Sequence, residues 1–226
     1  MTASPPNVTR ITRLGVVNAY LVREDDGLTV VDTMVPGSAR KVLAAAQRLG
    51  APIARILVTH AHGDHVGSLD ALAAALPGAE VLSSAREARL LRKDRALEPG
   101  EPQDKLRGGY PRVSTVPGRL LEHGDRVGSL EAIATPGHTP GHLAFLDTRD
   151  GTLLCGDIFT TIGGVETTAR TPWRFPLAAM ATWSRELTLD SARRLRALEP
   201  ERLAPGHGRI VEAPLADMDA AIAKAA

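Results

Sequence analysis

Aromatic residues are scarce, only 3% of the 226-residue chain. Trp173, Trp183, Tyr20, Tyr110 and the three Phe are too few for the stacking platforms that bind single-stranded nucleic acid. Charge of one sign is lacking too. Lys and Arg number 27 against 26 Asp and Glu, a formal net charge of +1, so no electrostatic footprint favours nucleic acid or an anionic membrane. No apolar run approaches the roughly 18 residues that span a bilayer. The lone cysteine, Cys155, excludes an intramolecular disulfide. The start, MTASPPNVTRITRLG, lacks the basic and continuous apolar parts of a signal peptide. Together these absences read as a protein of the reducing cytoplasm. The expected partner is a small-molecule substrate, not nucleic acid or membrane, and a homodimer is left open.

What is present is an ordinary globular balance, 43% hydrophobic and 23% charged residues, with a length suited to one domain over 1–226. Residues 16–23 and 28–32 predict two strands joined at Asp25-Asp26-Gly27. Ser38 is a candidate cap for a helix to Leu49, ended by Gly50. IARILVTH is a short β-branched apolar run, hence a buried strand. Helices are expected over 66–76, 84–93, 176–197 and 212–224. Strands are expected at 80–83, 126–134, 142–147, 152–155 and within ERLAPGHG. The stretch 97–117 is rich in Gly, Pro and charge and reads as a long surface excursion of the kind that often covers active sites. Alternating strands and helices early and late, around consecutive strands in the middle, give an α/β fold of two sheets with helices outside.

The densest chemical signal is Thr59-His60-Ala61-His62-Gly63-Asp64-His65, which places four candidate ligands within six residues directly after a buried strand. Imidazole and carboxylate suit zinc, and also iron or manganese. Three more segments share a strand end followed by a glycine and a ligand type: Thr135-Pro136-Gly137-His138, Leu154-Cys155-Gly156-Asp157 and Ala204-Pro205-Gly206-His207. Each alone is a common structural turn, but together with the first cluster they supply seven donors at four strand ends. Among the remaining candidates, Asp32 is either a support for the ligand loop or a strand-end turn residue. His123, in EHGDR, reads as an exposed histidine of a hairpin turn. His142 reads as structural and Cys155 as a buried inert thiol.

Taken together, these motifs resemble the metallo-β-lactamase superfamily over nearly the whole chain, with Asn18 and Asp32 included. The resemblance implies a four-layered αβ/βα sandwich with two mixed sheets, and metals at the sheet edges. It implies a first metal on His60, His62 and His138, a second on Asp64, His65 and His207, and Asp157 bridging them. The cofactors would be two divalent cations, zinc foremost. Such a pair acidifies a bridging water for attack on a carbonyl carbon or phosphorus, with Asp64 or Asp157 moving the proton.

The activity so implied is hydrolysis of a small ester, lactone or thioester. A carboxylate at Asp157 departs from true β-lactamases. Glyoxalase II-like thioesterases carry a C-terminal helical extension for which residues 208–226 are too few. Lactonases of similar size often place a tyrosine after the bridging aspartate, where this chain has Thr160 and Thr161 in DIFTTIGG. Phe159, Ile162, Trp173 and Phe175 are either an apolar pocket wall or ordinary core. The alternatives are a mononuclear iron enzyme resembling persulfide dioxygenases, a β-lactamase or phosphodiesterase, and a non-catalytic binding module, which would be expected to have lost ligands.

Overall fold

The computed structural model describes residues 7–226. The first six residues of the anticipated 1–226 domain, part of the segment read for a leader, lie outside the described residues. Strands β1 (Val8–Arg13), β2 (Val17–Glu24) and β3 (Gly27–Val31) pair antiparallel. β4 (Ile53–Leu57), β5 (Glu80–Ser84) and β6 (Arg119–Leu121) add in parallel, giving a six-stranded sheet in chain order. Parallel neighbours need long crossovers. Here α1 (Ala39–Leu49) joins β3 to β4, and α2 (Gly63–Val66) and α3 (Leu69–Ala75) join β4 to β5. α4 (Ala85–Leu91) and the irregular 92–118 stretch lead to β6.

The second sheet begins as an antiparallel run of β7 (Arg126–Val127), β8 (Leu130–Ala134), β9 (Leu143–Asp147) and β10 (Thr152–Gly156). β11 (Phe159–Thr160) and β12 (Glu166–Thr167) form a small separate ladder, followed by α5 (Leu177–Met180) and α6 (Arg185–Ala197). β13 (Arg202–Pro205) then pairs parallel with β10, β14 (Val211–Glu212) closes that edge, and α7 (Leu215–Ala225) ends the chain.

Side-chain alternation along each strand builds the layers. Tyr20, Val22, Val31, Leu57 and Leu82 of the first sheet meet Leu130, Leu143, Phe145 and Leu154 of the second in one buried cluster. The alternate residues Leu21, Val30 and Ile56 face outward onto Val42, Ala45 and Ala46 of α1 and Leu69 and Leu72 of α3. Leu153 and Cys155 of β10 pack with Ala192 and Leu195 of α6 and with Met218 and Ala221 of α7. The result is the expected order of helix, sheet, sheet, helix.

Several expectations need correction. The 176–197 helix is interrupted between Met180 and Arg185, where the backbone serves the His138 turn: Trp183 N donates to His138 O (3.1 Å) and Ser184 N to Gly137 O (2.9 Å). The 126–134 strand folds back at Gly128-Ser129. The 66–76 helix begins later, as α3 (Leu69–Ala75), with Val66 ending the separate short α2, and Ser38 makes no side-chain cap to α1. His123 is exposed in a turn, but that turn links β6 and β7 of different sheets and is no hairpin. β1, β6, β11, β12 and β14 had no sequence-based expectation, and the 212–224 helix starts only at Leu215, after β14.

Candidate metal centre

The strands that end in candidate ligands all end on one side of the sandwich. β3 and β4 run parallel, as do β10 and β13, and β8 lies two antiparallel steps from β10. Their C-terminal ends carry Asp32, His60, Asp157, His207 and His138 in turn. Two backbone contacts hold the sheets together there: Leu143 N donates to Thr59 O and Asn18 N to Gly206 O, each at 2.9 Å.

Seven side chains converge between these ends. Donor atoms of His60, His62 and His138 lie within 4.8 Å of one another, as do those of Asp64, His65 and His207 and those of His60, His65 and Asp157. Asp157 touches both triads, with Oδ2 3.5 Å from His138 Nε2 and 3.1 Å from His207 Nε2, and Oδ1 3.4 Å from His65 Nε2. His207 Nε2 lies 3.3 Å from Asp64 Oδ2. His60 Nε2, His65 Nε2 and Asp157 Oδ1 are buried and have no hydrogen-bond partner among the described residues. Orphaned polar atoms are costly in an interior unless a ligand satisfies them. A Cβ on Gly206 would stand 2.3 Å from Asp157 Oδ1 and 2.6 Å from His65 Cε1, so only glycine fits beside this cluster. The donor set and its unsatisfied atoms fit divalent cations.

Outside the cluster, the other nitrogen of each imidazole has a partner that fixes its orientation, a common arrangement in metal sites. His65 Nδ1 donates to Asp32 Oδ2 (2.7 Å). His60 Nδ1 donates to Thr59 Oγ1 (3.0 Å), which donates to the same Asp32 oxygen (2.7 Å). His138 Nδ1 donates to Thr182 Oγ1 (2.9 Å), which donates to Ala178 O (3.2 Å). His207 Nδ1 donates to Val16 O (3.1 Å). His62 is turned the other way. Its Nε2 donates to Arg107 O (3.0 Å), leaving Nδ1 to face His138 Nε2 (3.0 Å). Asp32, whose alternatives were a support or a turn residue, therefore orders one histidine of each triad.

Burial and neighbouring charge set the protonation states. Burial holds His60 and His138 well below the usual histidine range and His62 down at about 4. Burial works in the same direction on His65 and His207. There the Asp157 carboxylate, with Asp32 at His65, outweighs it, raising His65 and pushing His207 up to about 9. Burial would raise Asp157 and Asp64, but the adjacent His207 and His65 hold both carboxyls well below their ordinary values.

The remaining candidates fall in distinct places. His142 is a strut: Nδ1 donates to Thr135 Oγ1 (2.8 Å) and Nε2 accepts from Asp157 N (3.1 Å). Cys155 is buried in an apolar strand, and burial pushes its thiol up. Thr161 hydrogen-bonds His207 O through its amide (3.0 Å) and Arg209 O through its hydroxyl (2.7 Å), so it holds the His207 loop. Asn18 and Tyr20 hold that loop from the first sheet, through Pro205 O at 2.9 and 2.6 Å. Phe159 is core, Trp173 is exposed, and the Phe175 ring lies 5.1 Å from His207. The 97–117 excursion packs on the site: Gly63 N donates to Gly109 O (2.9 Å) and the Tyr110 ring stands 4.7 Å from His62.

Sequence reasoning missed Glu87. Fully buried on α4, it accepts from Ala61 N (2.7 Å), Thr139 Oγ1 (2.6 Å) and Gly141 N (2.9 Å), clamping the His60–His62 loop to the His138 turn. Its signal was Ser84-Ala85-Arg86-Glu87, the spacing of a capping box. Ser84 does cap α4, but the glutamate turns inward instead of returning to Ser84.

An αβ/βα sandwich with seven His and Asp donors at its strand ends defines a class of metal-dependent proteins. The sequence pattern of the Metallo-beta-lactamase superfamily matches residues 12–207, and the chain belongs to that superfamily. It is 47% identical over 210 residues to the uncharacterized protein YobT of Bacillus subtilis (strain 168), covering 92% of this chain and 90% of that protein. It is 31% identical to a hydroxyacylglutathione hydrolase of Acidiphilium cryptum (strain JF-5), over 87% of this chain and 75% of the relative. Among solved structures, TTHA1623 in a di-iron-bound form superposes with a TM-score of 0.68 at 30% identity, covering 92% of this chain and 95% of that one. The BLEG-1 B3 metallo-beta-lactamase gives 0.69 at 25% identity, with 94% and 96% covered. The superfamily is mostly hydrolases, and membership implies divalent-metal binding.

Proposed function

We propose that this protein is a dinuclear metal-dependent hydrolase that cleaves a small ester, lactone or thioester. One observation carries the reading: two complete triads share Asp157 and leave His60 Nε2, His65 Nε2 and Asp157 Oδ1 buried without partners. His60, His62 and His138 would hold one cation, Asp64, His65 and His207 the other, with Asp157 between them. When bound, two such cations would supply Lewis acidity and lower the pKa of water.

The chain's own groups do the rest. Water splits the acyl–oxygen or acyl–sulfur bond; its hydroxyl goes to the acyl carbon and its proton to the leaving oxygen or sulfur. Asp64 borders the cavity and its side chain is 39% exposed, so its carboxylate is the group that would accept that proton and pass it on. Thr59, Thr182, Asp32 and the Arg107 carbonyl keep the imidazoles aimed, so little reorganisation is needed during reaction. Zinc suits the donors, and the di-iron form of TTHA1623 keeps iron in the same reading. The complete second triad favours hydrolysis over mononuclear oxygen chemistry. A cytoplasmic location belongs to this reading, supported by the lone buried thiol.

The test is a panel of lactones and thioesters offered to the metal-loaded protein. Hydrolysis is expected, together with its loss by at least about a hundredfold in Asp157→Ala that remains folded. Full activity in Asp157→Ala, or no turnover across the panel, would sink the proposal.

A further inference from the structure

The cavity at the metal centre, about 270 Å³, is apolar apart from the donors. Leu14, Val16, Val17, Phe175, Leu177 and Ala178 line it. Among the described residues that line it there is no Lys or Arg, and the ionisable groups there are Asp64, Asp157, His62 and His207. Apart from the metal donors themselves, no charged side chain among the described residues stands on the walls to pair with a charged substrate portion.

The apolar lining continues outside. Two of the large apolar side chains exposed among the described residues belong to this wall, Leu14 (73%) and Leu177 (65%). Exposed apolar clusters of this kind mark binding surfaces. Leu14 is unusual for a second reason. It sits beside Gly15 in the β1–β2 turn, and both have positive φ, 53° and 75°. Such a turn favours Asn-Gly, because leucine gains nothing there from backbone or packing. An exposed leucine in a left-handed conformation serves neither the turn nor the core, but it does extend the cavity wall.

We propose that the site selects an uncharged alkyl or acyl tail, held between Leu14, Phe175 and Leu177, with the scissile carbonyl at the metal donors. This inference rests on the hydrolase reading and adds the substrate's chemical class to it. The test uses straight-chain alkyl hydroxamates, from acetohydroxamate to octanohydroxamate, titrated calorimetrically into the metal-loaded protein; the hydroxamate head binds metal and the tail probes the wall.

The dissociation constant is expected to fall by about two- to fourfold per added methylene over the first several carbons. Leu177→Asp, at an exposed position that spares the fold, should at least halve that dependence on a logarithmic scale. Leu120→Asp, on edge strand β6 and outside this cavity, should leave it unchanged. A flat series with measurable head-group binding overturns the inference and leaves the hydrolase reading standing. An unchanged slope in Leu177→Asp overturns it as well. Failure of every hydroxamate to bind overturns the inference too, while the hydrolase reading stands or falls with the turnover panel.

Discussion

At the scale of single residues, the centre depends on side chains that never touch a metal. Asp32 accepts from Thr59 N, Thr59 Oγ1 and His65 Nδ1, so it orients His65 directly and His60 through Thr59. Asp32→Ala is expected to weaken metal binding by about 10–100-fold, read by competition with a chromogenic chelator; unchanged affinity would remove Asp32 from this role. Glu87→Gln replaces an acceptor oxygen with a donor facing the amides of Ala61 and Gly141 or the Thr139 hydroxyl. A loss of about 1–3 kcal/mol in denaturant stability is expected. The protonation of His207 gives a pH dependence. In the metal-free chain it is held at about 9, so it carries a proton at neutral pH that must leave before the nitrogen can coordinate. Metal affinity should therefore rise with pH up to about 9, and uptake near pH 7 should release at least about one proton, seen as a buffer-dependent heat. Metal-free stability runs the other way: the His207–Asp157 contribution is complete below about pH 6.5 and is lost as pH rises through about 9. Buffer-independent heats would contradict the assignment of His207 as a ligand.

At the scale of elements, short connections do most of the positioning. The 97–117 excursion has no regular structure, yet it supplies the carbonyl that sets the His62 tautomer and the glycine that lets it approach. Gly108 has φ 82°, and a Cβ there would stand 2.3 Å from His62 Nε2. Gly108→Ala should lower metal content at the first triad, while Gly109→Ala, with open space around it, should not. Equal metal content in both variants would show that the excursion is no part of the centre. The same elements show how far sequence reading reaches. Buried strands ending in Gly-His or Gly-Asp were legible because period-two burial and a turn glycine are local signals, and the superfamily resemblance then ordered the ligands. The break at Met180–Arg185 was not legible, since apolar spacing runs through it and the cause is a tertiary contact with the His138 turn. Glu87 was hidden because its partners, Ala61, Thr139 and Gly141, lie in loops distant in sequence that only the fold brings to α4. Short strands such as β6 and β11 carry too few residues for a period to show.

At the scale of the whole molecule, the site sits on a seam. The inter-sheet cluster around Phe145 and Leu57 sets the distance between the two sheets, and each candidate triad draws ligands from both. Phe145→Ala should cost about 3–5 kcal/mol and loosen metal binding with it, because the cavity falls between the ligand-bearing layers. Metal and fold are linked in turn. At a free metal concentration a hundred times its Kd, binding adds about 2.7 kcal/mol. Chelation should then lower Tm by about 5–10 °C for a chain of this size. The most direct test of the central proposal is elemental mass spectrometry of the protein purified without added metal, in equivalents per chain. Close to two equivalents of zinc, iron or a mixture is the expected result. One equivalent or fewer, with no second uptake on titration, would contradict the dinuclear reading.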